Sequence, residues 1–273
     1  GRWIGDGSAP LTNGADFYRE QSMPLGRKAF TTAKRVLAAR LYISGLGYYE
    51  AYLNGKKIGD HVLDPGWTSY GKRVLYASYD ITPLLQPGQN VAGVMLGNGW
   101  YNPLPLKMWG RFNLRDALYT GRPCVKALLR LTYADGTSEE IVTDETWQTL
   151  PGPVMRNSVY LGEHYDARKE IPGWNEPGVK PAGMKNAVPE EGPPGVLTAQ
   201  LQPPVRVTRI IKPVAVTTPK PGTYLFDMGQ NFAGVARITV KAQAGARIVL
   251  RYGEDKYKEG NINVMTAVTG QIK

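Results

Sequence analysis

Turn-forming residues interrupt this chain at short intervals, and between them lie short runs in which apolar and polar residues alternate. Glycine occurs 32 times and proline 21 times among the 273 residues. The run from Tyr48 to Leu53 alternates and stops at Asn54-Gly55, a dipeptide that favours a two-residue hairpin because both positions accept positive φ. About fourteen such runs and no convincing amphipathic helix predict an all-β fold built from β-sandwiches or jelly rolls.

The predicted strands follow one another along the chain with one long interruption. Residues 101–121 form a connection without clear periodicity, and a loop of this length in a compact domain is usually functional. Residues 80–85 predict a short helical turn. The predicted strands are 40–43, 48–53, 56–62, 73–79, 91–96, 124–133, 138–143, 147–150, 158–161, 206–211, 224–227, 233–240 and 247–252.

Proline, glycine and polar residues crowd together from about residue 172 to residue 195, a composition that predicts a linker. We therefore expect two domains. The first is an N-terminal β-sandwich over residues 1–195, and the second is the start of another β-sandwich over residues 196–273, incomplete within this chain.

The charge and hydropathy of the chain exclude several classes of function. The net charge is +10, but the basic residues are scattered, whereas a nucleic-acid partner would need them concentrated in a stripe. No stretch approaches the ~18 apolar residues that cross a bilayer, and the residues from Gly1 to Gly5 do not begin a signal peptide. We expect neither a nucleic-acid nor a membrane partner.

Cysteine and histidine are scarce. Cys124 is the single cysteine, so neither an intrachain disulfide nor a cysteine-based metal site can form, and its place in a predicted strand indicates a small buried residue. His61 and His164 are the only histidines. They argue against a histidine-rich metal centre and against a Ser-His-Asp hydrolase.

The acidic residues do not reveal a catalytic pair. A glycosidase needs two carboxyl groups that face one bond, and no spacing singles out two. Asp80 and Asp135 have ready explanations as cap and turn residues. No phosphate loop, dinucleotide fingerprint, nucleophile elbow or zinc motif is present. The acids in predicted turns are Asp64, Asp80, Asp135, Asp144, Asp166, Asp227 and Glu254.

Two loops carry the residue types that bind sugars. The segment 96–103 leaves a buried strand and presents Asn98, Trp100 and Tyr101 at its tip. Tryptophan stacks on the apolar faces of sugars while its polar edge stays wet, and asparagine and carbonyl oxygens can share a Ca²⁺ with sugar hydroxyls. The alternative interpretation is a rigid turn whose tryptophan caps the core.

The second loop, residues 64–70, combines an acid with aromatic residues. It contains Asp64 and Trp67. The same alternative applies to it, a rigid turn that caps the core.

Several segments together resemble the non-catalytic front of the bacterial α-L-rhamnosidases. Their order and spacing extend across nearly the whole chain. The segments are LGYYEAYLNG (46–55), DPGWTSY (64–70), YDIT (79–82), GNGWY (97–101), GEHYDAR (162–168), FDMGQNFAG (226–234) and RYGE (251–254).

The resemblance implies a jelly-roll-like, lectin-like sandwich followed by a concanavalin-like sandwich. In the family, a large (α/α)₆ barrel comes next and holds the catalytic carboxylates of an inverting glycoside hydrolase. This chain stops before that barrel, so the resemblance transfers no catalytic residue, and whether the chain is itself an enzyme stays open.

The family is also related to a rhamnose-binding module in which Ca²⁺ bridges protein oxygens and the sugar. Its asparagine and the proline carbonyl five residues later match Asn98 and Pro103. An Asp-Asn pair should contribute as well, and the nearest counterpart here is Leu53-Asn54, which lacks the aspartate. The resemblance thus implies Ca²⁺ on Asn54, Asn98 and Pro103. The candidate sugar-binding residues are Asn54, Asp64, Trp67, Asn98, Trp100 and Tyr101.

We therefore expect a carbohydrate-binding and scaffolding region of an α-L-rhamnosidase, with L-rhamnose or a rhamnose-containing glycan and the catalytic barrel as partners. One alternative is a pair of purely structural sandwiches. Another is a polysaccharide lyase that uses a Tyr/His/Arg set, for which His164 and Tyr165 are the place to look. The localisation stays open, with a periplasmic or extracellular site favoured over the cytoplasm of a bacterium.

Overall fold

The computed structural model describes residues 1–12, 14–105, 107–108 and 112–267. They fall into two compact units. The first contains the described residues of Gly1–Leu106 and Asn113–Arg206, and the second those of Lys107–Phe112 and Val207–Lys273. Part of the long connection predicted over 101–121 lies outside the described residues.

The described residues contain strands and single-turn 3-10 helices, with no α-helix, which confirms the all-β prediction. The 3-10 turns are Asp16–Tyr18, Thr82–Leu84, Leu114–Ala117, Ala167–Lys169 and Val264–Ala267. The strands are β1 (Trp3–Gly5), β2 (Pro24–Thr32), β3 (Val36–Leu46), β4 (Tyr48–Leu53), β5 (Lys56–Lys57), β6 (Arg73–Asp80), β7 (Gly88–Gly97), β8 (Lys107–Met108), β9 (Phe112–Asn113), β10 (Cys124–Tyr133), β11 (Ser138–Val142), β12 (Gln148–Pro151), β13 (Val154–Ser158), β14 (Gly162–Tyr165), β15 (Lys185–Asn186), β16 (Val188–Glu190), β17 (Val196–Ala199), β18 (Ala215–Lys220), β19 (Thr223–Asp227), β20 (Asp255–Lys256) and β21 (Ile262–Asn263).

Two large sheets form most of the first unit, and β13 and β14 pair in a separate two-stranded sheet. One large sheet runs in the order β16-β1-β10-β3-β6-β17, with β11 also paired to β10, and the other in the order β15-β12-β2-β7-β4-β5. All described ladders within these sheets are antiparallel except that of β17 with β6. Two sheets that pack face to face over a common core make a sandwich, and here both large sheets contribute residues to the main core cluster.

Alternation along the strands explains that core. In β4, Tyr49, Ala51 and Leu53 are buried while the residues between them face outward. Successive side chains of a strand point to opposite faces, so the pattern turns one face inward. The main core cluster includes Leu41, Ile43, Leu129 and Leu131 from one sheet, Ala51, Leu53 and Val94 from the other, and Trp147 just before β12.

The predicted β4–β5 hairpin is present. Asn54 has φ 52° and Gly55 has φ 79°, the two positive angles that a type I′ turn needs. The second predicted hairpin joins β10 and β11, with Leu129 opposite Ile141. Cys124 is buried at the start of β10, as its sequence context predicts.

Several predictions of local structure are wrong. The central strand β2 was not predicted, because its buried positions include Gly26 and Arg27 and so hide the apolar pattern. The predicted strand 158–161 spans the turn between β13 and β14. The predicted strand 56–62 shrinks to β5, since its later residues lead into a loop.

The stretch 172–195 is not a linker. It contains β15, which pairs with β12, and β16, which pairs with β1. Its proline and glycine residues shape short edge strands instead. The first unit also extends to Arg206, beyond the expected boundary at residue 195, because β17 adds to the edge of β6.

The second unit contains two short hairpins. Strands β18 and β19 pair with Val216 opposite Phe226, and β20 pairs with β21. Residues 207–211, 233–240 and 247–252, expected as strands, have no ladder partner in the described part of the chain. Many of its large apolar side chains are exposed, among them Val235 and Ile210.

No helix in the described residues is long and apolar enough to cross a membrane.

Candidate functional site

Three aromatic side chains meet where loops follow β5, β7 and β13 in the first unit. The Trp67 and Trp100 rings stack with their centroids 5.0 Å apart and their planes inclined by 27°. Tyr160 meets Trp100 edge-on, with a centroid distance of 5.7 Å and an angle of 82°. Trp67 is 43% exposed and Trp100 is half-buried. We call these three residues the aromatic platform.

The loop that carries Trp67 is tied down on both sides of the ring. The Gly66 amide donates to Gln200 Oε1 at 2.9 Å, and Thr68 Oγ1 donates to the Arg73 carbonyl at 2.5 Å. Gln200 directly follows β17, which lies along β6. The exposed indole therefore stands on a fixed backbone.

Trp100 follows β7 at a point where two backbone segments come close together. Gly47 has φ 101° and Gly99 has φ 47°. A Cβ atom on Gly47 would lie 2.9 Å from the Asn98 carbonyl oxygen and in still closer contact with that of Gly97. Only glycine allows both this approach and these angles. The two glycines thus set the position of Trp100.

A cavity of about 210 Å³ lies beside Trp67, enough for several water molecules or a small polar ligand. Tyr119 in its wall is exposed and stacks on Tyr101, with centroids 6.5 Å apart and planes inclined by 18°. The cavity is lined by Trp67, Ser69, Tyr70, Ala117, Leu118 and Tyr119.

Tyr101, expected at the sugar surface, lies inside the protein instead. It is 5% exposed and belongs to a second core cluster with Tyr70 and Cys124. Tyr70 meets it edge-on at 5.7 Å. Burial raises the pKa of the Tyr101 phenol. The ring supports the wall of the cavity from behind, and Tyr119 takes the exposed position.

Asp64 was also expected to contact sugar, but the structure buries it in a polar network. Its Oδ2 accepts a hydrogen bond from the Tyr79 hydroxyl at 2.6 Å and lies 2.6 Å from His61 Nδ1. The Tyr79 hydroxyl lies 3.3 Å from that of Tyr49. Burial, reinforced by the hydrogen bond to Asp64, raises the pKa of Tyr79. Asp64 acts below the loop surface, where it fixes the start of the Trp67 loop.

Asn54 holds together the end of a strand pair. Its Nδ2 donates to the Leu84 carbonyl at 3.0 Å and to Asn90 Oδ1 at 2.8 Å, while its Oδ1 accepts from the Val91 amide at 2.8 Å. All its side-chain polar atoms therefore have protein partners, and only the second lone pair of Oδ1 is left for a sugar or a metal ion.

The three expected Ca²⁺ ligands do not converge on one point. Asn54 lies beside Val91 near the start of β7, and Asn98 follows its last residue. Ala92 lies opposite Leu53, the neighbour of Asn54. Asn98 lies six residues further along the chain, so at about 3.3 Å per residue the two asparagines lie about 20 Å apart. One ion cannot bind both, which corrects the expected ligand set.

The remaining two expected ligands are engaged with protein donors. Asn98 is buried, and its Oδ1 accepts from Asn102 Nδ2 at 2.8 Å. Arg115 Nη1 donates to Asn102 Oδ1 at 2.8 Å and to the Pro103 carbonyl at 2.9 Å. Ca²⁺ needs six to eight oxygen ligands. Each of these three oxygens already accepts a hydrogen bond from a protein N–H group and keeps only one further lone pair, so the residues at this loop do not form a ready set of Ca²⁺ ligands.

Local turns account for three of the acids that the sequence analysis considered. In Asp80, Asp135 and Asp144, Oδ1 accepts from both the backbone amide and the hydroxyl of the threonine two residues later. The hydrogen bonds of Thr82 hold the pKa of Asp80 below its ordinary value. These carboxylates shape turns.

Two other carboxylates, Glu50 and Glu163, influence each other electrostatically and were not singled out in the sequence. Burial raises the pKa of Glu163, and the charge of Glu50 adds to the effect. Glu50 is engaged by the Lys57 ammonium at 2.7 Å and by the Tyr52 hydroxyl at 2.6 Å. These contacts give Glu50 a structural role in the outer face of the sheet.

The geometry gives the lyase alternative no support. His164 and Tyr165 are neighbours in β14, so their side chains point to opposite faces. His164 contacts Arg156 at 2.8 Å and Glu20 at 3.1 Å, whereas the Tyr165 hydroxyl donates to Glu170 at 2.6 Å. The two side chains do not face one substrate.

The structure adds three residues that the sequence did not single out: Tyr160, Tyr119 and Arg115. Tyr160 lies in a segment that was expected to be a strand, and Tyr119 and Arg115 lie in the long connection. The only available signal was the expectation that a loop of that length is functional.

Known proteins resemble the chain over nearly its full length. A family model described as the α-L-rhamnosidase N-terminal domain matches residues 34–209. A model of the bacterial α-L-rhamnosidase concanavalin-like domain matches residues 217–272. An α-L-rhamnosidase of Streptomyces avermitilis is 40% identical over 235 residues, which are 84% of this chain and 22% of that protein.

Two solved structures share the fold. The α-L-rhamnosidase from Dictyoglumus thermophilum superposes with a TM-score of 0.81 at 36% identity, covering 98% of this chain and 30% of that chain. The Streptomyces avermitilis α-L-rhamnosidase complexed with L-rhamnose gives a TM-score of 0.82 at 36% identity, covering 92% of this chain and 25% of that chain. The present chain thus spans less than a third of the length of these relatives.

Proposed function

This chain belongs to the α-L-rhamnosidase family, and from that membership we propose that its first unit binds terminal α-L-rhamnosyl groups of glycans. The proposed contact surface is the aromatic platform together with the adjoining cavity. The observation that carries the proposal is the exposed face of Trp67, stacked on Trp100 and set on a tied backbone.

The chemistry of rhamnose suits this surface. Rhamnose is a 6-deoxy sugar, so one edge carries a methyl group in place of a hydroxymethyl group and is more apolar than in most hexoses. An indole offers a flat apolar face to such an edge. Ser69 and Tyr119 lie in the cavity wall. Their hydroxyl groups can form hydrogen bonds with the hydroxyl groups of the sugar.

Isothermal titration calorimetry of the chain with methyl α-L-rhamnoside tests the proposal. We expect saturable heat in the millimolar range, because a single exposed platform buries little area. Trp67→Ala should abolish the heat, and Trp174→Phe should leave it unchanged, since Trp174 packs against Tyr52 instead. Equal binding by the wild type and Trp67→Ala would refute the proposed surface.

A scaffolding role is the second candidate, and the exposed apolar residues of the second unit favour it. Val214, Val235 and Ile238 are among its exposed side chains, and covering exposed apolar side chains with a partner removes them from water, which is favourable. In this role the second unit would pack against the catalytic barrel that the family places downstream, and the hydrolysis of α-L-rhamnosides would occur there.

Co-expression with the barrel of a related α-L-rhamnosidase tests this role. We expect the two to co-purify, and Val235→Asp with Ile238→Asp to abolish co-purification. Trp67→Ala is the matched control, because it should remove sugar binding and leave the association intact. Co-purification of the double aspartate variant at wild-type yield would refute the scaffolding role.

A further inference from the structure

Arg115 occupies a central position beneath the loop that carries Trp100. Its Nη1 donates to two oxygens of that loop, Asn102 Oδ1 at 2.8 Å and the Pro103 carbonyl at 2.9 Å. The guanidinium carbon lies 4.2 Å from the centre of the Phe17 ring, within the range of a cation–π contact. The guanidinium therefore links its own segment to the loop at residues 102–103 and to Phe17 near the N-terminal end.

The oxygens of this loop are the kind that a hard metal ion would bind. Asn98 Oδ1, Asn102 Oδ1 and the Pro103 carbonyl are an amide–carbonyl set of the type found around Ca²⁺. Here each of the three oxygens accepts a hydrogen bond from a protein N–H group. Asn102 Nδ2 donates to Asn98 Oδ1, and Arg115 Nη1 donates to Asn102 Oδ1 and to the Pro103 carbonyl.

The surroundings are also positively charged. Arg19 and Arg156 line a crevice beside Asn98 and Asn102. Among the described residues that line this crevice, none is acidic. A divalent ion would meet Arg19, Arg115 and Arg156 here; Asp16 pairs with Arg19 at 3.0 Å, and no carboxylate of the described crevice lining offsets the other two. Burial lowers the pKa of Arg115 while Asp116 opposes that shift, and an arginine remains charged under such conditions.

We propose that Arg115 is the built-in cation of the 98–103 loop, so that the loop holds Trp100 in place without Ca²⁺. Arg115 is a positioning residue in this account, since it acts on the platform through the loop backbone. The inference does not depend on sugar binding, because its readouts are thermal stability, circular dichroism and metal binding in the absence of sugar.

The first test is metal dependence. Thermal unfolding of the chain should give the same Tm in millimolar Ca²⁺ and in EGTA, and Tb³⁺ should show no luminescence sensitised by Trp100. A Tm that rises in Ca²⁺ and falls back in EGTA, or sensitised Tb³⁺ emission that Ca²⁺ displaces, would overturn the proposal.

The second test is the charge of residue 115. Arg115→Met should lower Tm by about 4–8 °C, since it leaves two oxygens without their charged donor. It should also weaken the exciton signal of the stacked Trp67 and Trp100 in circular dichroism. Arg115→Lys should retain part of the thermal stability and part of the exciton signal, because the lysine ammonium keeps the positive charge and its N–H donors. Arg2→Met removes only an exposed ion pair with Glu145 and is the matched control.

Chemical rescue separates a cation from a simple packing role. In Arg115→Ala, millimolar guanidinium chloride should restore part of the exciton signal, and equal NaCl should not. If guanidinium has no more effect than NaCl, or if Arg115→Met and Arg115→Lys lose the signal equally, the charge of Arg115 does not position the loop. If Arg115→Ala is poorly folded, the comparison of Met with Lys decides.

Discussion

Replacement of Asp64 by alanine removes the acceptor that Tyr79 and His61 share inside the first unit. The Asp64 side chain is 4% exposed, and its Oδ2 lies 2.6 Å from both the Tyr79 hydroxyl and His61 Nδ1. A hydrogen bond to a charged group contributes about 1.5–3 kcal/mol. The two bonds together predict that Asp64→Ala lowers the free energy of unfolding by about 3–6 kcal/mol.

A double-mutant cycle isolates the Tyr79 contact. Tyr79→Phe removes only the hydroxyl, and the coupling energy between Asp64→Ala and Tyr79→Phe should be about 1.5–3 kcal/mol. Urea unfolding followed by tryptophan fluorescence provides the four free energies. Tyr76→Phe is the matched control, because Tyr76 lies on the outward face of β6 while Tyr79 faces inward.

Two results would contradict the assignment of Asp64 to a buried hydrogen-bond network. A coupling energy below about 0.5 kcal/mol, the level seen for independent sites, would refute the assignment of Asp64 to a buried network. If Asp64→Ala kept wild-type stability and lost rhamnose binding, Asp64 would be a sugar ligand, as the sequence alone suggests.

Three further predictions follow from single contacts. Gly47→Ala should destabilise the chain by about 1–3 kcal/mol more than Gly88→Ala. Both glycines have positive φ, but only at Gly47 would an added Cβ atom meet a neighbouring backbone segment. Equal losses of stability in urea unfolding would contradict this close approach. Arg122 holds the pKa of Asp6 below its ordinary value of 3.8 although burial pushes it up, so Asp6 contributes stability above that pH and loses it as the pH falls further. The stability difference between wild type and Asp6→Asn, measured by urea unfolding across pH, should therefore shrink below pH 3.8, and a constant difference would contradict the pairing. Cys124 is 1% exposed and burial raises its pKa, so a thiol reagent should label it only after denaturation, and rapid labelling of the native chain would place it at the surface.

The parts of the fold that the sequence predicted have strong local determinants. The β4–β5 hairpin follows from Asn54-Gly55, whose positive φ angles few other pairs accept. Strand β10 shows alternation from Val125 to its end at Tyr133. In such segments the local pattern and the tertiary contacts agree, so the sequence alone suffices.

The parts that escaped prediction depend on distant partners. Strand β2 contains the buried Arg27, whose Nη2 donates to the Val179 and Glu176 carbonyls at 2.6 and 3.2 Å. Those carbonyls lie in the stretch 172–195 that the sequence analysis interpreted as a linker. The missed strand β2 and the wrongly assigned linker therefore depend on the same contacts. Short strands such as β15 and β16 form because a sheet edge is available beside them.

The candidate site shows the same division. The residue types of Trp67 and Trp100 pointed to a sugar platform, but burial, which no local pattern reveals here, withdraws Asp64, Asn98 and Tyr101 from the surface. The spacing of Asn98 and Pro103 suggested Ca²⁺ ligands. The contact that argues against them comes from Arg115 in a connection without periodicity.

The central claim is that the aromatic platform binds terminal L-rhamnose without a metal ion. Calorimetric titration of methyl α-L-rhamnoside into the chain, in EGTA and then in Ca²⁺, tests it most directly. We predict the same saturable binding in both buffers and none for Trp67→Ala. Binding that appears only in Ca²⁺, or that survives in Trp67→Ala, would contradict it.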